Sequence, residues 1–145
     1  MSEIVTKPHI ILLKGEGVVE EYIAAGVIKP GHLVTLNSDE KLAVNSGAAA
    51  ACEKMFATED ALQGRTIDTA YAADERVFAA IVEPGDHVYA FLSAGENASI
   101  GSHLSSNGDG TLQVGTTNAI AVALEAVNAS DSSAAADERI RVRII

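Results

Sequence analysis

Turn signals recur so closely along this chain that only short elements fit between them. Pro30-Gly31 and Pro84-Gly85 each place proline in the second position of a turn. Asn107-Gly108-Asp109-Gly110 combines Asn-Gly and Asp-Gly, the dipeptides that most favour a tight hairpin. With the other turn clusters of the chain included, turns recur roughly every eight to twelve residues, which is typical of sandwiches and barrels. The sequence therefore predicts an all-β fold, mainly an antiparallel barrel or sandwich, with at most one or two short helices.

The apolar runs between the turns have the lengths and alternation of strands. The last run, RIRVRII at 139–145, alternates strictly, with Arg139, Arg141 and Arg143 opposite the aliphatic residues. These arginines could pair with acidic loops or contact a partner, but the interpretation we favour is an outward face that keeps the strand soluble and blocks edge pairing. The other runs interpreted as strands are 9–17, 18–28, the hairpin arms 32–37 and 41–45, 65–71, 76–82, 86–95, the runs flanking 107–110, and a central strand at 119–128.

The alanine-rich stretch 46–64 is compatible with two structures. Its composition favours a short helix near 58–64, with Thr58 as the N-cap. In an all-β protein the same residues can instead form a strand followed by a loop. Both alternatives stay open at this point.

Two pairs of segments echo each other along the chain. GHLVTLNSDEKLAV at 31–44 matches GSHLSSNGDGTLQV at 101–114 without gaps at glycine, asparagine, aspartate, leucine and valine positions. IKPGHLV at 28–34 and VEPGDHV at 82–88 share a Pro-Gly turn that leads into a valine strand. The echo indicates either an ancient duplication or hairpins that converged on the same turn residues.

Length and composition indicate one globular domain. The chain has 145 residues, 48% of them hydrophobic, and we expect an arm or first strand at 1–17 followed by a single β-rich domain at 18–145. The formal net charge of −10 argues against nucleic-acid binding. We find neither a long apolar run for a membrane span nor a signal peptide, so we expect synthesis in a cytoplasm, or export by a route other than a signal peptide, and no membrane partner.

Catalytic and metal-binding patterns are weak throughout. The turn 107–110 lacks the distal acidic ligand of a calcium loop and leads into a strand rather than a phosphate-binding helix, so we interpret it as a structural turn. Acidic pairs at 39–40, 59–60, 74–75 and 137–138 sit where solvated loop tips are expected, and Cys52 has the surroundings of a small buried hydrophobe. His32 and His87 occupy similar places in the echoed Pro-Gly turns and are the only histidines that the echo would bring together. We therefore expect no enzyme activity, no cofactor and no metal.

The order of these segments resembles the small capsid decoration, or cement, proteins of tailed bacteriophages. The resemblance covers residues 22–145 and rests on turn-and-strand patterns. Its segments are AGVIKPGHLVTLNSDEKLAV at 25–44, ERVFAAIVEPGDHVYAFLSAGENASIGSHLSSNGDGTLQV at 75–114, NAIAVALEAVNASD at 118–131 and the terminal RIRVRII.

This resemblance implies a non-enzymatic virion protein on the capsid exterior, which binds the major capsid protein at junctions between capsomers. It also implies self-association, with a homotrimer expected. The apolar start of the chain is our expected capsid contact, through Ile4, Val5, Pro8, His9, Ile10 and Ile11. The alternative is that this stretch is simply the first strand of the barrel.

Two other classes of protein stay in view. A ligand- or glycan-binding β-barrel would need aromatic side chains gathered on one face, whereas Tyr22, Tyr71 and Tyr89 are scattered along the sequence. A small trimeric all-β enzyme of the dUTPase size class would need an aspartate-bearing nucleotide motif and a glycine-rich C-terminal arm, and the chain ends instead in RVRII.

Overall fold

The computed structural model describes residues 7–130 and 136–145. Within them the chain forms thirteen strands and one 3₁₀ helix, Ala61–Gln63, so the predicted all-β fold is confirmed. The strands are β1 Leu12–Lys14, β2 Val18–Ile23, β3 Val34–Leu36, β4 Leu42–Val44, β5 Met55–Thr58, β6 Arg76–Ile81, β7 His87–Leu92, β8 Asn97–Ala98, β9 His103–Ser106, β10 Leu112–Val114, β11 Ala121–Ala123, β12 Val127–Asn128 and β13 Glu138–Ile144.

Five strands close into a barrel. The order is β7-β10-β9-β11-β13, and β13 pairs with β7 to complete the ring, while β1 adds to β7 from outside it. All pairings are antiparallel except that of β10 with β7, which is parallel and joins Leu112 to Leu92. Closure gives each barrel strand a partner on both sides, although β10 meets β7 at a single residue pair.

Small and branched aliphatic side chains fill the barrel. Ile140, Val142 and Ile144 of β13 point inward, as the alternation of this strand predicted, and are fully buried. Ala90 and Ala121 face the same core from β7 and β11, where a narrow ring of five strands leaves little room for larger residues.

A second, smaller core lies beside the barrel. The sheet β2-β6-β5 and the hairpin β3-β4 enclose it, and it contains Leu42, Met55 and Ala79 among other buried residues. Alternate residues of β5 and β6 face the two cores, so that Phe56 and Ala80 belong to the barrel core instead. The central sheet is therefore shared between both cores.

The echoed segments form hairpins of identical register. In β3-β4, Val34 pairs with Val44 and Leu36 with Leu42; in β9-β10, the residues seventy positions later pair in the same way. The turns also agree, since the N–H of Asn37 donates to the carbonyl of Lys41 (2.8 Å) and that of Asn107 to Thr111 (2.9 Å).

The two hairpins also touch each other. The N–H of Leu33 donates to the carbonyl of Gly110 (2.8 Å), and the buried Ser106 hydroxyl donates to Asn45 Oδ1 (3.1 Å). A Cβ on Gly110 would lie 2.9 Å from Cβ of Val44, so only glycine permits this approach.

The structure decides between the two alternatives for 46–64 and corrects two other expectations. The stretch 46–64 forms a strand followed by a loop: Thr58 ends β5 and caps no α-helix, and Asp60 is the N-cap of the 3₁₀ helix Ala61–Gln63. Pairing of β5 with β6 overrides the helix propensity of this stretch. Segment 65–71 is irregular and makes only a single bridge, from Tyr71 to Ile28. The expected central strand 119–128 divides into β11 and β12.

The chain leaves the barrel between β11 and β12, where Leu124 and Glu125 form hydrogen bonds with Arg141 of β13. The N–H of Leu124 donates to the carbonyl of Arg141, and the Glu125 carboxylate accepts the N–H of Arg141. From there Val127 and Asn128 pair with β8. The expected strand was thus a mostly apolar run, but its two halves pair with different partners.

Candidate interaction surface

The residues expected to contact a capsid divide into buried and accessible ones. Ile4 and Val5 lie outside the described residues. Pro8 is half-buried, whereas His9 and Ile10 are exposed, with Ile10 50% accessible. Ile11 is fully buried in the barrel core, and its carbonyl accepts the N–H of Tyr89 (2.8 Å). The side chain of Ile11 therefore belongs to the fold, and among the described residues of this set Pro8, His9 and Ile10 are accessible to a partner.

This N-terminal segment borders a broad groove of about 940 Å³. The opposite walls are the segment 65–68 and the outer side chains of β7 and β13. Tyr89 and Phe91 form part of its floor, but each is only 8% exposed. The groove is lined by both acidic and basic side chains, so it has no single charge preference.

Arg139 holds the floor of this groove together. Its guanidinium lies 4.7 Å from the centre of the Phe91 ring, and Nη1 donates to Asp68 Oδ1 at 2.9 Å. Nη2 donates to the carbonyls of Pro30 and Ile67. The arginines of β13 lie opposite the barrel core, as predicted, and Arg139 and Arg141 pair with acidic residues of other segments. The interpretation that they block an edge is wrong, because β13 is paired on both sides.

The three arginines of β13 consequently have different roles. Arg141 is half-exposed and lies 3.5 Å from the Glu125 carboxylate, while Arg143 is exposed. Arg139 ties the irregular segment 65–68 and the Pro30 turn to the barrel. Alternation along the strand identified the face, but the loops that cover part of it come from distant parts of the sequence.

His32 sits against the other side of this cluster. Its ring lies 5.2 Å from that of Phe91, and Nδ1 accepts the N–H of Lys29 (3.1 Å). Burial lowers the pKa of His32 to about 4, and the nearby charge of Lys29 acts in the same direction. His87 begins β7 opposite Arg143.

The Asn107–Gly110 turn uses its polar groups internally. Asp109 accepts hydrogen bonds from the N–H and the hydroxyl of Thr111 and from the Asn107 amide. Burial acts to raise the pKa of Asp109, but these hydrogen bonds outweigh it and lower the pKa. The Pro30-Gly31 and Pro84-Gly85 segments also lie at turns, with φ of 102° at Gly31 and 100° at Gly85.

Groups suited to metal or thiol chemistry are few in the described part of the chain. No cluster of three or more histidine, cysteine, aspartate or glutamate side chains is placed to hold a metal ion there. Cys52 is half-buried against the barrel core, and burial raises the pKa of its thiol. No helix among the described residues has the length and apolar character needed to cross a membrane.

One of the acidic loop pairs is not a solvated tip. Asp60 is only 3% exposed, and its Oδ1 is buried without a hydrogen-bond partner among the described residues. It lines a pocket of about 260 Å³, here called the Asp60 pocket. The other lining residues are the apolar Val19, Ala61, Leu62 and Phe78 and the polar Thr58 and Glu59.

Sequence reasoning missed this pocket, because Asp60 resembles the other loop carboxylates in its local sequence. The pocket is lined in part by Val19 on β2 and Phe78 on β6, which are distant from Asp60 in the sequence. An edge strand that begins with two valines, Val18-Val19, was the available signal, since exposed β-branched residues on an edge often mark an interaction surface.

Comparison with known proteins gives one informative likeness. No family model matches the chain, and no curated protein matches it. Among solved structures, the crystal structure of the head fiber gp8.5 N base in bacteriophage phi29 is similar, with a TM-score of 0.57 and 10% sequence identity. The match covers 90% of this chain and 95% of that chain. At this identity the likeness shows a shared fold.

Proposed function

We propose that this chain is a non-enzymatic structural protein of a bacteriophage virion, which binds the outer surface of the assembled capsid and stabilises it at junctions between capsomers. The observation that carries the proposal is the fold likeness to a phage head fiber base over 90% of the chain. The order of turns and strands that resembles phage decoration proteins supports it independently.

The partner in this proposal is the major capsid protein, and the mechanism is stabilisation by linkage. A protein that binds only the expanded shell raises the stability of that shell in proportion to its occupancy and affinity. This requires no cofactor and no chemistry. Modest contacts suffice, because the same contact is repeated over the whole shell.

We further propose that the accessible N-terminal residues Pro8, His9 and Ile10 take part in the contact, together with Ile4 and Val5. Ile10 exposes an apolar side chain beside the groove, and Ile11 fixes the segment to the barrel. A homotrimer is the expected assembly, since a chain with these exposed apolar residues gains burial from neighbours. Sedimentation equilibrium of the free protein tests the homotrimer directly, because it measures the mass of the assembly.

Co-sedimentation with capsids tests the function. The protein is mixed with expanded shells that lack it and with unexpanded precursor shells, and the bound copies are counted. We expect saturable binding to expanded shells at a ratio that matches one set of symmetry-related sites, and a higher temperature of DNA release from the loaded shells. A lack of binding to any shell from the same phage would overturn the proposal.

A matched pair of variants tests the N-terminal contact. Ile10→Ser removes an apolar side chain that is 50% exposed, and Ile100→Ser removes one that is 74% exposed on the distant turn between β8 and β9. We expect Ile10→Ser to weaken shell binding and Ile100→Ser to leave it unchanged. Equal binding by both variants would exclude Ile10 from the contact without touching the proposal of capsid binding.

The groove favours one alternative, a ligand- or glycan-binding module. Its volume of about 940 Å³ lies within the range of small-molecule sites. Against it, Tyr89 and Phe91 are covered rather than presented as an open aromatic platform. Screening the protein against a glycan array distinguishes the two functions: specific glycan binding without shell binding would favour the module.

A further inference from the structure

We propose that the Asp60 pocket receives a lysine or arginine side chain of the shell protein, with the Asp60 carboxylate as the acceptor for its charged head. This inference rests on the proposed function for the identity of the partner. The binding chemistry itself is argued from the pocket alone.

The pocket has an apolar mouth of side-chain size. Leu62 is 88% exposed and Val19 is 54% exposed, so both present apolar surface to solvent at its rim. Its volume of about 260 Å³ falls below the range of small-molecule sites, which begins at about 300 Å³. The methylene stem of a lysine or arginine is apolar and suits such a rim, because these side chains bury their stems while keeping the charge at a polar end.

The polar end of the pocket lacks a donor. Asp60 is almost completely buried, and Oδ1 has no hydrogen-bond partner among the described residues. An unpaired buried carboxylate oxygen is costly, and a cationic donor offsets that cost best. The terminal torsion of aspartate is soft, so the carboxylate can turn Oδ1 toward a donor that enters the pocket.

The basic residue near Asp60 in the loop is already engaged. Arg65 forms an ion pair with Glu75 at 2.7 Å. Glu59 adds a second carboxylate to the pocket wall, and it accepts the N–H of Ile11. The charge of Arg65 also acts on Asp60, but Asp60 Oδ1 accepts no hydrogen bond among the described residues, so a donor for this oxygen must come from outside the cluster.

Charge decides which occupant fits. The chain carries a net charge of −10, so a basic surface on a partner is attracted to it. A metal ion is disfavoured, because most of the lining is apolar and metal-ligating groups do not cluster in the described residues. A single basic side chain on a larger partner satisfies both the apolar rim and the carboxylate.

A titration with amino-acid analogues tests the pocket without any shell. Nα-acetyl-lysine methylamide and its uncharged counterpart Nα-acetyl-norleucine methylamide are added to ¹⁵N-labelled protein. We expect saturable shifts of the Val19, Ala61 and Leu62 amide signals with the lysine analogue, and much smaller shifts with the norleucine analogue. Asp60→Asn is expected to abolish the difference between the two.

Asp60→Asn also separates binding from folding. The substitution removes a buried negative charge whose Oδ1 has no hydrogen-bond partner among the described residues, so the thermal midpoint is expected to stay the same or rise. The control is Asp74→Asn, which changes an exposed carboxylate at a residue with φ of 68°, a conformation that asparagine adopts readily. We expect Asp74→Asn to retain the response to the lysine analogue.

Co-sedimentation with expanded shells then tests the docking role. We expect Asp60→Asn to bind at least about tenfold more weakly than the wild type, because truncating one member of a buried charge pair is costly, and Asp74→Asn to bind normally. Equal shell binding by Asp60→Asn and the wild type, or the absence of a lysine-dependent shift, overturns the inference. If the wild type binds no shell, the proposed function fails, and the analogue titration still decides what the pocket binds.

Discussion

At the scale of single residues, the imidazole of His32 is held in its neutral form. Nδ1 accepts the N–H of Lys29, which a ring protonated on both nitrogens cannot do. The charged groups around it act in both directions: Lys29 and Arg139 disfavour protonation, and Asp109 and Asp137 favour it. Burial is the largest influence, and the pKa of His32 falls to about 4.

This lowered pKa predicts a loss of stability in acid. Between the unfolded pKa of about 6.5 and the folded value near 4, the unfolded chain binds more protons, so the stability present at neutral pH declines as the pH falls. The contribution amounts to up to about 3 kcal/mol. Urea unfolding of the wild type and of His32→Gln at pH 7 and pH 4.5 measures it.

The wild type is expected to lose more stability over this interval than His32→Gln does. His103→Gln, which changes an exposed histidine, serves as the control and is expected to follow the wild type. Equal losses of stability by the wild type and His32→Gln would show that protonation of His32 does not cause the pH dependence.

Local sequence predicts some of these residues and not others. The positive φ of Gly31 and Gly85 follows from Pro-Gly turn chemistry, which is encoded by adjacent residues. The environment of Asp60 depends on Val19 and Phe78, which β2 and β6 bring from opposite directions along the chain. Nothing in the local sequence distinguishes Asp60 from an exposed loop carboxylate such as Asp74.

At the scale of elements, a buried hydrogen bond between two side chains adds to the backbone contacts that join the two echoed hairpins. The Ser106 hydroxyl donates to Asn45 Oδ1 at 3.1 Å, and the same oxygen accepts the N–H of Gly47 at 2.9 Å. Both side chains are buried, so water cannot readily replace either partner. The bond therefore joins the barrel to the hairpin β3-β4.

A double-mutant cycle on this pair is expected to show coupling. Asn45→Ala and Ser106→Ala should each destabilise the protein by about 1–3 kcal/mol, because each leaves a buried polar group unpaired. The double variant should lose less than the sum, with a coupling energy of at least about 0.5 kcal/mol in chemical denaturation. The control cycle pairs Asn45→Ala with Ser99→Ala, an exposed site, and additivity is expected there. Additive losses in the first cycle would contradict the coupling.

The hairpins illustrate what an element-level prediction can reach. Matching residues at 31–44 and 101–114 predicted two hairpins with similar turns, and both exist with the same register. Their contact through Leu33 and Gly110 joins parts of the chain that are far apart, so it was not predictable from either segment. Segment 65–71 was predicted to be a strand from its pattern, but it is irregular. Its contacts include a single bridge from Tyr71 to Ile28 and the hydrogen bonds of Arg139 to Asp68 and Ile67.

At the scale of the whole molecule, the shared sheet joins the two cores into one cooperative unit. Phe56 and Ala80 face the barrel core, while Met55 and Ala79 beside them face the second core. Loss of packing on one side exposes strands that the other side also needs. We therefore expect a single unfolding transition for the entire domain.

Two leucines at equivalent positions of the echoed hairpins test this cooperativity. Leu42 is fully buried in the second core and Leu112 in the barrel core, so each substitution to alanine is expected to cost about 2–5 kcal/mol. Scanning calorimetry should show one transition for each variant, with the calorimetric and van't Hoff enthalpies equal. Leu62→Ala, at a largely exposed site, should change stability by less than about 0.5 kcal/mol. Separate transitions in either core variant would show that the cores unfold independently.

The fold class was predictable because turns and alternation are local. Barrel closure was not, because it depends on β13 returning to β7 and on the single parallel contact of β10 with β7. These pairings join segments that many residues separate, and period-two alternation permits several strand orders. The pattern of each strand thus determined which face is buried, but not which neighbour it has.

The placement of the first and last strands also determines how this molecule resists mechanical force. β1 and β13 both run antiparallel to β7, so they run parallel to each other. A pull that separates the start of β1 from the end of β13 acts along the strands and slides both past β7. The load passes in series through the two residue pairs of β1 and β7, whose register is irregular, and the six residue pairs of β7 and β13. Under this pull β1 is consequently expected to detach first, while the six pairs of β7 and β13, which resist shear together, keep the barrel closed.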